Sequence, residues 1–277
     1  MKKLLFLTLL LATFTCFSQT FVSTSAENKN VVLEEFTGIY CGFCPDGHVV
    51  AQGIHDANPN DVFLIMIHEG GYANPSSSAD PDFTTPFGSA IAGQSGLAGY
   101  PAGTVNRTTF SGINPQGSSG STALSRGDWA AASAIIMGES SPVNVATQSS
   151  VDLASGLITV DVEVYYTGTQ SISSNFLNVA IVQNNVPGPQ AGAQNYNPGA
   201  IITGQWNPTY NHQHMLRHMM TGQWGQEITN ISQGQFYSTQ LTWSAPADIN
   251  GVTLDVTQLN VVAFITEGNQ EILTGYQ

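Results

Sequence analysis

The 277-residue chain has 19 acidic and 6 basic residues, which give a formal net charge of −13 at pH 7. This negative charge argues against nucleic acid or an anionic membrane surface as a partner. Hydrophobic residues make up 42% of the chain, which argues against disorder over most of its length. Charged residues make up only 9%, which favours an envelope or surface protein with an exterior of uncharged polar side chains.

The first residues have the three parts of a secretory signal peptide. Met1-Lys2-Lys3 is basic, residues 4–14 are apolar, and small or polar residues follow up to Gln19. We expect cleavage after Ser18. The alternative is a lipoprotein signal, in which Cys16 is acylated and becomes the first mature residue. The apolar run is shorter than the roughly 20 residues of a membrane-spanning helix, and no later segment is apolar enough to span a bilayer.

Removal of residues 1–18 changes the charge and the cysteine count. Lys2 and Lys3 leave, so 4 basic and 19 acidic residues remain and the mature net charge is 4 − 19 = −15. Of the 3 cysteines, Cys41 and Cys44 remain, and in an oxidising envelope we expect them to pair with each other. The sequence thus indicates an exported protein that is periplasmic, on the outer-membrane surface or secreted.

After a polar, flexible arm at residues 19–29, residues 30–140 show strand and helix patterns in alternation. A strand–helix–strand order at the start of this part argues for a parallel α/β unit. The predicted elements are a strand at 31–36, a helix at 44–57, a strand at 62–67, a partly helical segment at 83–96, a strand entered from a turn at 99–107 and a helix at 125–137.

Residues 141–277 are dominated by strand patterns. Alternate apolar residues from Ile158 to Tyr166 predict a strand with one buried face. Further strands are expected at 143–150, 176–184, 235–243, 260–266 and 271–273. Several short strands separated by turns indicate a β-sandwich-like domain. Residues 210–220 interrupt the pattern, and we expect one or two helical turns there.

The cysteine pair Cys41-Gly42-Phe43-Cys44 lies between the first predicted strand and the first predicted helix. At a helix N-terminus, unpaired N–H groups and the helix dipole lower a thiol's pKa and favour the nucleophilic thiolate. Cys41 is therefore the expected attacking thiol, and Cys44, one turn later, the resolving one. Glu35 is the candidate proton acceptor for Cys44, and Glu34 competes with it if the strand register differs by one.

This segment resembles the thioredoxin active site. Thioredoxins have a buried acid six residues before the first cysteine, where Glu35 stands, and an aromatic residue directly before it, where Tyr40 stands. They also have a cis-proline in a loop that faces the disulfide, and Tyr100-Pro101 is the matching candidate. The resemblance implies a thioredoxin-like domain at 30–140, followed by the β-sandwich-like domain at 141–277.

A broader resemblance covers most of the mature chain. The segments 33–45, 99–101, 106–107 and 212–217 resemble the outer-membrane-protein-28-related family of exported proteins from Gram-negative bacteria. This resemblance implies a thioredoxin-like part, a β-rich C-terminal part and a location in the envelope or outside it. It informs fold and location more than biochemical role.

Two functions of different classes follow. The first is thiol–disulfide exchange with the thiols or disulfides of envelope or secreted proteins, for which no cofactor is expected. The second is a non-enzymatic surface-binding or adhesion module, in which the Cys41–Cys44 disulfide is structural and the β-domain contacts another surface protein or a glycan. The short loop between the cysteines favours exchange, because its closure stabilises the fold little.

His212, His214 and His218 are candidate metal ligands. His214 and His218 would share a face of a helix, but His212 would point elsewhere on it. The alternative, which we favour, is that these histidines and Arg217 hydrogen-bond to backbone groups between the two domains. His68-Glu69 follows a strand and is a further candidate, but nothing in the sequence brings it near residues 212–218.

Overall fold

The computed structural model describes residues 20–277. The expected signal peptide and its Cys16 lie outside the described residues. The helices are α1 Cys44–Ala57, α2 Gly88–Ser95, α3 Trp129–Met137 and α4 Ala193–Tyr196, with 3-10 turns at Arg126–Asp128, Pro198–Ala200 and Val256–Gln258. None of the helices in this part of the chain is both long and apolar enough to cross a membrane.

The fold is mixed α/β and rich in strands. The strands are β1 Val31–Thr37, β2 Val62–His68, β3 Ala102–Val105, β4 Ala123–Leu124, β5 Val143–Asp152, β6 Leu157–Tyr166, β7 Asn175–Gln183, β8 Val186–Pro189, β9 Ile201–Ile202, β10 Thr209–His212, β11 Met215–Met219, β12 Gln226–Ile228, β13 Phe236–Ser244, β14 Asp248–Ile249, β15 Val252–Thr253, β16 Leu259–Thr266 and β17 Ile272–Tyr276.

A nine-stranded sheet runs through both halves of the chain, in the order β17-β16-β7-β11-β2-β1-β3-β4, with β12 also paired to β7. β1 and β2 pair in parallel over their whole length, as the predicted strand–helix–strand unit requires. β11 pairs with β2 at Met215 and Met66 and with β7 on its other side. The expected domain boundary near residue 140 lies between α3 and β5, and the sheet crosses it without a break.

Helices and a smaller sheet cover the large sheet. α1 and α3 pack against Val31, Leu33 and Leu64 on one face of β1 and β2. Val32, Phe36 and neighbouring residues on the opposite face pack with α2. A three-stranded sheet, β13-β6-β5, buries the predicted stripe from Ile158 to Tyr166 against β7, β16 and β17. Alternating strand residues therefore form cores on both faces of the large sheet, because successive side chains of a strand point to opposite faces.

The segment predicted to be helical at residues 210–220 is instead two strands, β10 and β11. His214, with φ 51°, turns the chain between them. Pairing of β11 with both β2 and β7 decides the conformation, because backbone hydrogen bonds to distant strands override a weak local helix preference.

All four basic residues of the described part are engaged by other groups. Lys29 is 8% exposed and its Nζ lies 2.9 Å from Glu139 and 2.7 Å from Glu271. Arg107 is fully buried against Glu34. Arg126 pairs with Asp46 on α1, and the buried Arg217 donates to the Val252 carbonyl at 2.8 Å.

Candidate functional site

Cys41 and Cys44 form a disulfide at the start of α1. The helix begins at Cys44 itself, and the Cys44 N–H donates to the Cys41 carbonyl at 3.3 Å in the turn that precedes it. Cys44 is fully buried and Cys41 is 3% exposed. The structure therefore shows the expected pairing, but it places neither sulfur on an open surface.

A segment of the C-terminal half, residues 189–197, lies over the disulfide; we call it the cover segment. The Ala191 N–H donates to the Ile39 carbonyl at 2.8 Å, and Gln190 Nε2 donates to the carbonyls of Gly38 and Cys41 at 3.1 and 3.0 Å. Gly192 of this segment lies against Gly42, where a Cβ would stand 1.9 Å from the Gly42 oxygen. This contact explains the burial of Cys41.

An aromatic contact holds the end of the cover segment. Phe43, between the two cysteines, is 55% exposed and contacts the ring of Tyr196 in α4, with centroids 5.4 Å apart. The Arg126 guanidinium also lies near this ring, 6.0 Å from the Phe43 centroid. The loop between the cysteines thus presents an aromatic ring at the surface while the sulfurs lie beneath it.

Glu35 is completely buried on β1, below α1. Neither of its carboxyl oxygens has a hydrogen-bond partner among residues 20–277. Burial raises the pKa of Glu35 well above its ordinary value, and the positive charge of Arg126 opposes this only in part. A Cβ on Gly47 would stand 2.5 Å from Glu35 Oε1 and 3.0 Å from Pro101 Cβ, so the acid lies where β1, α1 and the Pro101 loop meet.

Glu34, the competing candidate, is buried on the opposite face of β1. Its carboxylate accepts two hydrogen bonds from Arg107, at 2.7 Å from Nε and 2.6 Å from Nη2. The Arg107 guanidinium also lies 5.3 Å from the centroid of Phe264. Glu34 is therefore ion-paired within the first half, while its partner Arg107 also contacts the second half through Phe264. Glu35 is the buried acid without a hydrogen-bond partner among residues 20–277.

The Tyr100–Pro101 peptide bond is cis, and Pro101 directly precedes β3. The Tyr100 hydroxyl donates to Glu69, the residue that follows β2. Burial, and then the neighbouring Glu69 carboxyl, raise the pKa of Tyr100. Of the residues predicted for the site, Glu35 and Pro101 lie together under the first turns of α1.

His48, which no motif in the sequence marks, lies between Glu35 and the C-terminal half. Its Nε2 lies 3.0 Å from Thr37 Oγ1 and 3.8 Å from Glu35 Oε1. Its Nδ1 lies 3.0 Å from the Tyr210 hydroxyl, which also accepts from Asn197 Nδ2 at 2.8 Å. The available signal was spacing: His48 follows Cys44 by four residues and so shares its helix face.

Four of the six histidines line one cavity of about 550 Å³, which we call the histidine cavity. They are His48, His68, His212 and His214, and Tyr210 lies among them. The ring centroids of His68 and His212 are 5.2 Å apart, a proximity that the sequence did not predict. Burial lowers the pKa of His48 to about 4, of His212 to about 3 and of His214 to about 4, and all three are neutral at pH 7.

The predicted metal ligands do not form one group. His212 lies near the Pro189 carbonyl at 3.3 Å, and His214 lies near Gln52 at 3.1 Å. His218 is elsewhere, stacked on Trp243 with centroids 4.4 Å apart. Nowhere in residues 20–277 are three or more His, Cys, Asp or Glu side chains arranged to hold a metal ion.

Comparison with known proteins identifies the family. The model of the family "Outer membrane protein Omp28" matches residues 89–274. The chain belongs to the Omp28 family. Membership agrees with the expected exported, envelope-associated location, and it confirms the family resemblance that the sequence suggested. None of the curated proteins in the comparison matches this Omp28 family member.

Solved structures give the fold likeness. HBP35 of Porphyromonas gingivalis matches with a TM-score of 0.66 and 21% identity, over 90% of this chain and 74% of that one. A domain of the outer membrane lipoprotein Omp28 from the same organism matches with a TM-score of 0.30 and 13% identity, over 49% of this chain and 84% of that one. This Omp28 family member therefore shares the overall fold of HBP35.

Proposed function

We propose that this protein is an exported thioredoxin-like protein that carries out thiol–disulfide exchange on envelope or secreted proteins through Cys41 and Cys44. The observation that carries the proposal is the burial of the Glu35 carboxyl without a hydrogen-bond partner among residues 20–277. A fully buried carboxyl without a hydrogen-bond partner among the described residues destabilises a fold. Such a group is typical of a site that uses its proton affinity, and Glu35 lies below the helix that begins with Cys44.

The chemistry follows from the positions of the two cysteines. An incoming protein thiolate attacks Cys41 Sγ, the bond between Cys41 and Cys44 breaks, and the Cys44 sulfur leaves with the electron pair. Glu35, protonated because burial raises its pKa, gives its proton to the Cys44 thiolate. In the reverse direction the Glu35 carboxylate takes the proton from the Cys44 thiol, which then attacks Cys41.

Access to Cys41 requires the cover segment to move. Its contacts with the cysteine loop and the residues just before it include three hydrogen bonds to backbone carbonyls, the Gly192–Gly42 backbone contact and the Phe43–Tyr196 ring contact. These are contacts that a substrate polypeptide is able to replace. We therefore place substrate between the cysteine loop and the cover segment, with the exposed Phe43 as its first apolar contact.

We assign each half of the chain a fold type that fits this proposal. The β1-α1-β2 unit, the Pro101 loop, β3, β4 and α3 form the thioredoxin-like part. β5, β6 and β13 packed on β7, β16 and β17 form a β-sandwich-like part that supplies the cover segment. Exchange on exported proteins requires a location in the periplasm, on the outer-membrane surface or outside the cell.

The reduction potential of the Cys41–Cys44 disulfide tests the proposal. We expect a potential milder than about −300 mV, measured by equilibration with thiol redox buffers, because structural disulfides in secreted proteins lie below that value. We also expect catalysed reduction of a protein disulfide such as that of insulin, which Cys41→Ser abolishes. A potential below about −300 mV contradicts the proposal.

A second candidate is a surface-binding module with a structural disulfide. The observation that favours it is the burial of both sulfurs under the cover segment. A second cavity, of about 880 Å³, is lined by residues that include Asp80, Trp206 and Asp255 and would be the place for a polar ligand. For this candidate, the reduction potential is low and Cys41→Ser leaves ligand binding unchanged.

A further inference from the structure

A row of polar groups leads from Glu35 to the histidine cavity, with one separation, between Glu35 and His48, that is longer than a hydrogen bond. Glu35 Oε1 lies 3.8 Å from His48 Nε2, and His48 Nδ1 lies 3.0 Å from the Tyr210 hydroxyl. His48 and Tyr210 both line the histidine cavity. Glu35 itself is 0% exposed, so a proton that it gives to a cysteine has to be replaced through other groups.

The contacts are compatible with the His48 tautomer that carries its hydrogen on Nε2. The Tyr210 hydroxyl accepts from the Asn197 amide at 2.8 Å, so its own proton is free to be donated to His48 Nδ1 at 3.0 Å. His48 then accepts at Nδ1 and carries its hydrogen on Nε2. That hydrogen points to Thr37 Oγ1 at 3.0 Å, with Glu35 Oε1 as the next acceptor.

The surroundings of His48 keep it uncharged. Burial is the main cause of its pKa of about 4. Its other titratable neighbours are the neutral His212, 6.5 Å away between ring centroids, Tyr210, and His68, whose pKa is lowered by burial and by the nearby His212 and His48. Arg126, the cation that acts on Glu35, lies at the opposite end of the contact chain. A neutral imidazole with a donor and an acceptor passes a proton on without storing one.

We propose that His48 and Tyr210 form a proton path that reprotonates Glu35 from the histidine cavity during disulfide exchange. The inference rests on the proposed exchange function and extends it. It gives two residues a role in the reaction, one of them from the C-terminal half of the chain. It also explains why a tyrosine and a histidine with partners on both sides lie behind a buried acid.

Glu35 gives its proton to the departing Cys44 thiolate and becomes a carboxylate. The His48 ring moves from Thr37 Oγ1 toward Glu35 to close the 3.8 Å separation, and Nε2 gives its hydrogen to Glu35 while Nδ1 takes the hydroxyl proton of Tyr210. His48 returns to its starting tautomer by exchange with solvent in the cavity. Tyr210 regains a proton from solvent in the cavity, so the net change is one solvent proton transferred to the Cys44 sulfur.

Tyr210→Phe tests the path because it removes only the hydroxyl. The measurement is the rate at which a low concentration of dithiothreitol reduces the Cys41–Cys44 disulfide, in the range where the rate is proportional to reductant. We expect the variant to react about 100-fold more slowly at pH 7, as for loss of a general acid–base group. His48→Gln should show the same loss, and the double variant should lose no more than either alone, because the two act as a unit.

Two controls separate the path from other effects. Tyr166→Phe removes another buried hydroxyl, on β6, and should leave the rate unchanged. Asn197→Ala removes the hydrogen bond between Tyr210 and the cover segment but keeps the Tyr210 hydroxyl, so it measures the effect of losing that one bond. A solvent deuterium isotope effect that is larger for the native chain than for Tyr210→Phe is also expected.

Equal rates for Tyr210→Phe, Tyr166→Phe and the native chain would overturn the proton path. That result leaves the proposed exchange function intact if the reduction potential is in the catalytic range. Conversely, a potential in the structural range ends the exchange proposal, while the rate comparison with dithiothreitol still tests whether the path delivers protons. The two failures are therefore distinguishable.

Discussion

Two adjacent carboxylates on β1, Glu34 and Glu35, lie in opposite electrostatic environments. Glu34 accepts two hydrogen bonds from Arg107, whereas Glu35 has no hydrogen-bond partner among residues 20–277. Replacing each by glutamine preserves its shape and removes its charge. The two substitutions should therefore change the free energy of unfolding in opposite directions.

For Glu35→Gln we expect stabilisation at alkaline pH. A folded-state pKa raised above the unfolded value means that the stability contribution of the acid is complete below about pH 4.5 and is lost as pH rises through the folded pKa. Each unit between the two pKa values contributes about 1.4 kcal/mol. Urea denaturation should show a gain at pH 8 that vanishes near pH 4. Glu227→Gln, at an exposed position on β12, is the control and should show no gain.

For Glu34→Gln we expect destabilisation at pH 7, by about 3–5 kcal/mol, because it leaves the Arg107 charge buried without its partner. The same urea denaturation measures it. A loss below about 1 kcal/mol would show that the pair contributes no more than an exposed ion pair does.

The sequence was sufficient to single out Cys41, Cys44, Glu35 and Pro101, because each occupies a fixed place in a recognisable local pattern. It was not sufficient for His48, Tyr210 and the cover segment. Those residues matter through contacts between positions about 160 apart, such as His48 with Tyr210. No local periodicity records such a contact, and the structure alone supplies it.

At the scale of elements, the cover segment and the cysteine loop meet at two glycines. Gly192 has φ +76°, and a Cβ there would collide with the Gly42 carbonyl oxygen. Gly192→Ala should lift the cover and raise the rate of disulfide reduction by dithiothreitol several-fold, since the barrier to access falls.

Gly222 provides a matched control for this prediction. It has φ +70°, but no atom lies within 4 Å of the place where a Cβ would stand. Gly222→Ala therefore carries a similar backbone strain, on the order of 1 kcal/mol, without touching the cover. If both variants raise the rate equally, general destabilisation and not cover opening is the cause.

Sequence periodicity predicted individual elements well where burial alone determines them. α1 has the predicted bounds, and the strand with the Ile158–Tyr166 stripe is β6. Periodicity failed at residues 210–220, where β11 is inserted between β2 and β7. Such an insertion depends on pairing between distant segments, which local propensity does not encode.

At the scale of the whole molecule, the nine-stranded sheet couples the two halves. β11 and β7, from beyond residue 140, continue the sheet of β1 and β2, and Arg107 binds Glu34 while lying against Phe264. We expect the halves to unfold together, in one cooperative transition.

Tryptophan fluorescence tests whether the two halves unfold in one transition. Trp129 on α3 reports on the first half and Trp243 on β13 reports on the second. In variants that keep only one of them, with phenylalanine at the other positions, thermal midpoints should coincide. Midpoints that differ by more than about 4 °C, a shift of roughly 1–2 kcal/mol in a chain of this size, would instead indicate independently stable domains.

The engagement of every basic side chain in residues 20–277 has a consequence for digestion by proteases that cut after lysine or arginine. Such a protease has four possible sites here, and it must draw the basic side chain into a pocket of its own. Lys29, Arg107 and Arg217 are buried, and Arg126 is paired with Asp46. In the folded chain a cut at any of the three buried residues therefore requires local unfolding first. Arg126, whose side chain is 33% exposed, is the expected first site of cleavage.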